Sequence, residues 1–207
     1  MKDLVLLVAD TNSQFALKGA LGRHEALEIH PIEFEFRVHP GRDGGTRKSG
    51  PEMLALERRR FRHALLVLDF EGCGTNFSNA TALEMDLDGR LSANWGEAAK
   101  SIVIEPEVDV WMWGADNAME AVIEWPAGKG VREWLCEKGF AFEANNKPTR
   151  PKEALEAALR IPDLPRSSAL YQRIAEKISL RRCRDEAFIR LRKKLVDWFP
   201  RKGREGF

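Results

Sequence analysis

The chain predicts an α/β fold: a mainly parallel four-stranded sheet flanked by helices, with a C-terminal helical extension. Three observations carry this expectation. Two continuous apolar runs, residues 4–9 and 64–68, read as strands buried on both faces, as central parallel strands are. Helix-like segments alternate with strand-like ones over the first half, in the order βαβαβαβ. Crossovers of that spacing are right-handed and lead to a parallel sheet. After Glu107 the strand signal stops and only broken helical patterns follow.

Each element has its own signal. After the first run, Asp10 and Thr11 offer an N-cap for a helix over residues 13–21, where Phe15, Ala16, Ala20 and Leu21 keep helical spacing and Gly22 is the stop. Residues 28–38 alternate over their second half, which marks a half-exposed strand, and Pro31 places it toward an edge. Residues 39–50, rich in Gly and basic side chains, read as a loop leading into a Pro51-initiated helix through about Phe61. The run at 64–68 then ends in Asp69-Phe70-Glu71-Gly72. A helix over about residues 79–95 and a strand over residues 101–105 complete the first part.

Beyond it, helices are expected over about residues 108–115, 131–138, 151–159, 169–178 and 185–199, with the polar, Pro-bounded residues 145–151 as a linker. The organisation expected is an α/β part, residues 1–107, and a helical extension, residues 108–207, packed on it as one unit.

Composition excludes several classes. With 207 residues, 43% hydrophobic and 31% charged, the chain is long enough for a sizeable core. No stretch reaches the roughly 20 apolar residues of a membrane span. Met1-Lys2-Asp3-Leu4 enters a strand without a signal-peptide core, so a cytoplasmic protein without a membrane partner is expected. Cys73, Cys136 and Cys183 are odd in number and lack C-x-x-C spacing, which argues against disulfides or a zinc site. The net charge of +1 hides an asymmetry: residues 181–207 hold 10 Lys/Arg against 4 Asp/Glu. That basic end suits phosphates or an acidic partner, or is simply a solvated helix face.

The chemical signal is the pair Asp69 and Glu71. Alternation along a strand puts both on one side, at the carboxyl end where open parallel sheets bind ligands, and two carboxylates suit a hard cation such as Mg²⁺. The topology brings Asp10, the loop 39–50, and Glu105 with Glu107 and Asp109 to the same edge. Arg42, Arg47 and Lys48 in the Gly-rich loop are then candidate phosphate ligands, and His39 a candidate general base. No G-x-x-x-x-G-K-[ST] pattern is present, so a P-loop is excluded. In the plain alternative these acids only cap helices and turns. The Trp111 and Trp113 cluster reads as packing between sheet and extension, or as a stacking platform for bases.

A first strand ending near an acid and a helix, with a later apolar strand ending in acid-x-acid, resembles the TOPRIM (topoisomerase-primase) domain over residues 1–107. The whole chain is similar to a group of bacterial TOPRIM-like proteins found in phage-defence and methylation-associated loci. Ser167-Ser168-Ala169-Leu170-Tyr171 and Cys183-Arg184-Asp185-Glu186-Ala187-Phe188 are the segments of the helical tail that carry this likeness. The resemblance implies Mg²⁺ on Asp69 and Glu71, and a Glu at the end of the first strand as general acid or base. Ala9 stands at that position, and Asp10 is displaced by one residue. Asp10 and Glu105 are the candidates to complete the catalytic set.

Two functions follow. One is a Mg²⁺-dependent nuclease component of an anti-phage system. The other is a non-catalytic adaptor or sensor that binds nucleic acid or a defence-system protein. A nucleotide-binding α/β protein is a third.

Overall fold

The computed structural model describes residues 1–114, 117–126 and 128–201. Four strands, β1 (Lys2–Val8), β2 (Phe34–Val38), β3 (Phe61–Asp69) and β4 (Ala99–Ile104), form an all-parallel sheet in the order β2-β1-β3-β4. The α/β class, the four parallel strands and the C-terminal helix are as the sequence predicts. β2 lies at an edge and is only half-buried, as its alternating Phe34-Glu35-Phe36-Arg37 pattern requires.

Alternation along β1 divides the core. Leu4, Leu6 and Val8 pack on one face with Leu65, Val67, Ile102 and Ile104; Val5, Leu7 and Ala9 pack on the other with Leu66, Leu68 and Val103. The first face is covered by α1 (Thr11–Leu21) and by most of the extension: α5 (Ala118–Val122), α6 (Val131–Glu137), α7 (Pro151–Leu159), α8 (Ser168–Ala175) and α9 (Glu186–Trp198). α2 (His24–Leu27) is a single turn between α1 and β2. The second face is covered by α3 (Arg42–Ala55) and α4 (Ala80–Trp95). The extension sits directly on the first βα unit. A Cβ on Gly19 of α1 would lie 2.7 Å from the Gln172 carbonyl oxygen of α8, so only glycine permits this approach.

Four expectations change. Residues 42–50 are not a loop, because α3 starts at Arg42 and runs through Gly44, Gly45, Gly50 and Pro51. The glycines serve packing: a Cβ on Gly45 would stand 2.4 Å from the His39 ring, and one on Gly50 would stand 2.6 Å from Leu66. Pro51 has no N–H for the Arg47 carbonyl, and Arg90 of α4 supplies the donor, its Nη1 at 2.8 Å from Arg47 O. The strand expected over residues 28–38 is shorter, with Ile29 in an isolated bridge to Pro200.

Residues 145–151 are not a loose linker. Phe142 bridges Pro148, Glu143 N donates to Lys147 O at 2.8 Å, and the buried Lys147 ammonium meets Asp185 at 3.1 Å. Where a helix over residues 108–115 was expected, a 3₁₀ turn spans Val108–Met112, and Ala115 lies outside the described residues. Residues 202–207 of the basic end also lie outside them. Trp111 and Trp113 are core residues, their indole N–H groups donating to Asp185 Oδ1 and Pro151 O. No helix among the described residues is long and apolar enough to cross a membrane.

Candidate functional site

The chain leaves β1 for β2 on one side, and the other neighbour of β1 is β3. The crevice beyond the carboxyl ends of β1 and β3 is therefore the topological switch point, where open α/β sheets bind ligands. A cleft of about 950 Å³ lies there. Asp10, Asp43, Asp69, Glu71, Glu107 and Asp109 line it, with the cations Arg42, Lys152 and Arg166.

Asp69 closes β3 at the cleft floor and is only 8% exposed. Its Oδ1 accepts from Val108 N at 2.9 Å, which ties the segment after β4 to the end of β3. Its own N–H donates to Asp43 Oδ1 at 2.8 Å. Its carboxyl is held well above the ordinary aspartate range, first by burial and then by the neighbouring charges of Asp43, Asp10, Glu107 and Asp109. Asp43 is likewise raised, by burial first and with Asp10 adding repulsion. Glu107 is half-buried and pushed up to about 7, first by burial and then by Asp109. Glu71 is exposed at the rim, its N–H bonded to Pro106 O at 2.9 Å. Asp69 and Glu71 thus meet in one cleft, as alternation predicts.

Two acids of the cleft are already used. Asp10 caps α1, accepting from Ser13 N at 2.8 Å. Asp109 is buried and accepts both Nη2 contacts of Arg166, at 3.0 and 2.9 Å, and the Tyr171 hydroxyl at 2.5 Å. Burial still raises its pKa, while Tyr171 and Arg166 pull it down. This triad pins α8 and the loop before it to the cleft wall.

Four sequence candidates are placed elsewhere or otherwise engaged. Glu105 is not among the lining residues; its Oε2 accepts from Ala80 N at 3.2 Å and caps α4, because Glu105 leaves the strand on the opposite side from the cleft acids. Arg47 points along α3 to the turn after β3, its Nε and Nη2 donating to the Cys73 and Gly74 carbonyls at 2.9 and 3.0 Å. Lys48 is exposed one position further around the same helix and is not at the cleft. Of the three basic candidates only Arg42 lines it, at the first helical position with φ +51°, a left-handed conformation uncommon for arginine. His39 lines the cleft but has both nitrogens engaged: Nδ1 accepts from Gly41 N at 2.9 Å, so Nε2 carries the proton toward Ser49 Oγ at 3.0 Å. That tautomer leaves no free base.

Sequence reading passed over Asp43, Lys152 and Arg166. Asp43 was hidden because its segment read as loop; an Asp in the first turn of a helix is the signal that a helical reading would have raised. Lys152 and Arg166 arrive from the extension, and no local pattern marks them.

Among the described residues no three His, Cys, Asp or Glu side chains are grouped closely enough to hold a metal ion by themselves. The donor set nonetheless fits Mg²⁺, which keeps several waters and takes one or two carboxylates together with substrate phosphates. The raised pKa values of Asp69, Asp43 and Glu107, each set first by burial with neighbouring carboxylates adding to it, mark a place where added positive charge is favourable. No protein-family model, no curated protein and no solved structure matches this chain, so the site rests on its own geometry.

Proposed function

We propose that the cleft binds a divalent cation together with a phosphodiester, and that the protein is a nucleic-acid-directed component of bacterial anti-phage defence. One observation carries the cation: Asp69, buried at the switch point, faces four other carboxylates with one of its oxygens engaged only by Val108 N–H. Asp69 and Glu71 would hold Mg²⁺, with Asp43 and Asp10 close by. Arg42 and Lys152 stand at the rim as anion ligands. When bound, the cation supplies polarisation of a phosphoryl oxygen and a lower pKa for a bound water. Glu107, titrating near neutrality, is the residue suited to exchange a proton there.

A second reading, a binding protein without turnover, draws on Ala9. This residue ends the first strand, and its side chain is buried with the α3 and α4 layer, so no carboxylate occupies that position. Calorimetric titration with Mn²⁺ and Mg²⁺, followed by incubation with labelled DNA and RNA, separates the readings. Cation binding lost in Asp69→Asn/Glu71→Gln, with strand cleavage, supports the nuclease; the same binding without cleavage supports the adaptor. Absence of cation binding in the unaltered protein sinks the cation site and the nuclease with it.

A further inference from the structure

At the end of the sheet opposite the cleft, cations gather in excess of the carboxylates that meet them. The turn after α3 and the start of β3 carry Arg58, Arg59, Arg60 and Arg62, all exposed. Arg60 is held by Glu57 at 2.9 Å, and Arg62 reaches Asp3 only at 3.9 Å. Among the described residues Arg58, Arg59, Lys193 and Lys194 have no carboxylate within 4.0 Å.

Aromatic rings hold two of these cations in place. The Arg58 guanidinium lies 5.1 Å over Trp95, the last residue of α4. The chain then turns through Gly96–Ala98 into β4, where Ala99 pairs with Ala64, the neighbour of His63 in β3. His63 stacks on Trp198 at 4.5 Å, and the Lys194 ammonium lies 5.1 Å over the same indole. Two cation–ring groups, Arg58 on Trp95 and Lys194 on the Trp198–His63 stack, thus make up a row along this end of the sheet. A groove of about 400 Å³ borders it, lined by Gly96, Glu97, Lys100, Lys193, Lys194 and Asp197, with Lys100 taken by Asp88. His63 is held below its ordinary pKa first by burial and then by the charges of Lys194 and Arg62, with the Ala98 backbone and Asp3 opposing.

We propose that this amino-terminal rim is a nucleic-acid surface, on which Arg58, Arg59, Arg62, Lys193 and Lys194 contact successive phosphates of a DNA or RNA backbone. Guanidinium groups fit phosphate oxygens bidentately, and a cation resting on an indole loses little freedom when it binds. The row is cationic along its outer edge and its rings are covered by the cations, so it lacks the exposed apolar centre of a protein interface. Leu56, 83% exposed at the start of the same turn, is what a protein partner would use instead.

The test is fluorescence anisotropy of labelled single- and double-stranded oligonucleotides in EDTA, across about 50 to 200 mM salt. EDTA removes any contribution of a metal in the cleft, and Met85→Ser, exposed on α4 and lining neither the cleft nor the groove, is the control expected to bind as the unaltered protein does. Failure of the rim and failure of the cleft are thereby distinguished. Arg58→Glu/Arg59→Glu and Lys193→Glu/Lys194→Glu should each weaken binding about tenfold or more and reduce the salt slope by about two. The milder Arg58→Gln/Arg59→Gln pair should give a smaller loss in the same direction. The proposal is overturned if these variants bind like the unaltered protein, if binding does not fall with salt or is absent, or if Leu56→Ser is as damaging as the charge reversals.

Discussion

The two ends of one parallel sheet treat their carboxylates in opposite ways. At the amino end Glu35 on β2 is met by Lys2 and Arg37, and its pKa is lowered to about 2, first through the hydrogen bond from Lys2 and then through that from Arg37. Glu57 nearby is shared by Arg37 at 2.7 Å and Arg60 at 2.9 Å. At the carboxyl end Asp69, Asp43 and Glu107 are raised by burial and by other carboxylates of the cleft, and the cations in reach are Arg42, Lys152 and an Arg166 already committed to Asp109. Folding alone settles the carboxylates at the first end. At the second it leaves them opposed, so that a cation binding there gains what the protein has not supplied. The basic end of the chain follows the first pattern in part: Arg190 serves the buried Glu84 at 2.9 Å and Arg192 serves Glu28.

The largest expected effect would show that not every cleft acid is strained. Asp109→Ala leaves the Arg166 guanidinium and the Tyr171 hydroxyl without their acceptor, and should cost about 3 to 5 kcal/mol in urea unfolding. Tyr171→Phe removes the bond the hydroxyl donates to Asp109 and the one it accepts from Arg166 Nε but keeps the ion pair, and should cost less, about 2 kcal/mol. Equal losses in the two variants would contradict the assignment of Asp109 as the anchor of the triad.

Next is the cation. At about a hundredfold excess over its Kd, Mg²⁺ should stabilise the unaltered protein by about 2.7 kcal/mol and leave Asp69→Asn/Glu71→Gln unaffected. A thermal shift of the same size in that double variant would place the ion elsewhere.

The two ends should also differ in the sign of their pH dependence. Glu107 titrates near 4.5 when unfolded and near 7 when folded. Between those values the folded chain holds a proton that the unfolded chain has released, so stability falls as pH rises through this window and levels off above about 7. Glu107→Gln should flatten that slope, and an undiminished slope would refute the assignment. Glu35, lowered from 4.5 to about 2, contributes stability that is present above pH 4.5 and lost as pH falls toward 2. Glu35→Gln should remove only this acid-side loss. The effect should be the smallest of the series and fade with added salt, because the pair is open to solvent.

The arrangement of secondary structure was legible in the sequence because it depends on local periodicity. The runs at Leu4 and Ala64 required burial on both faces, the alternation from Phe34 required an edge, and the break after Leu68 put Asp69 and Glu71 at the carboxyl end. Pairing along the chain could not be read in this way. The glycines of α3 looked like flexibility, and only the closeness of His39 and Leu66 shows that they are contact points. Arg47, Lys48 and Glu105 had suitable chemistry, but helix phase and strand alternation turned them from the cleft, while Lys152 and Arg166 were brought to it from the extension.

The sequence by itself determined where a site would lie, since the direction of parallel strands and the end of an apolar run are local properties. Only the tertiary structure decided which charged groups meet there and which are neutralised elsewhere, because Coulombic neighbours and burial depend on distances between segments that periodicity does not contain.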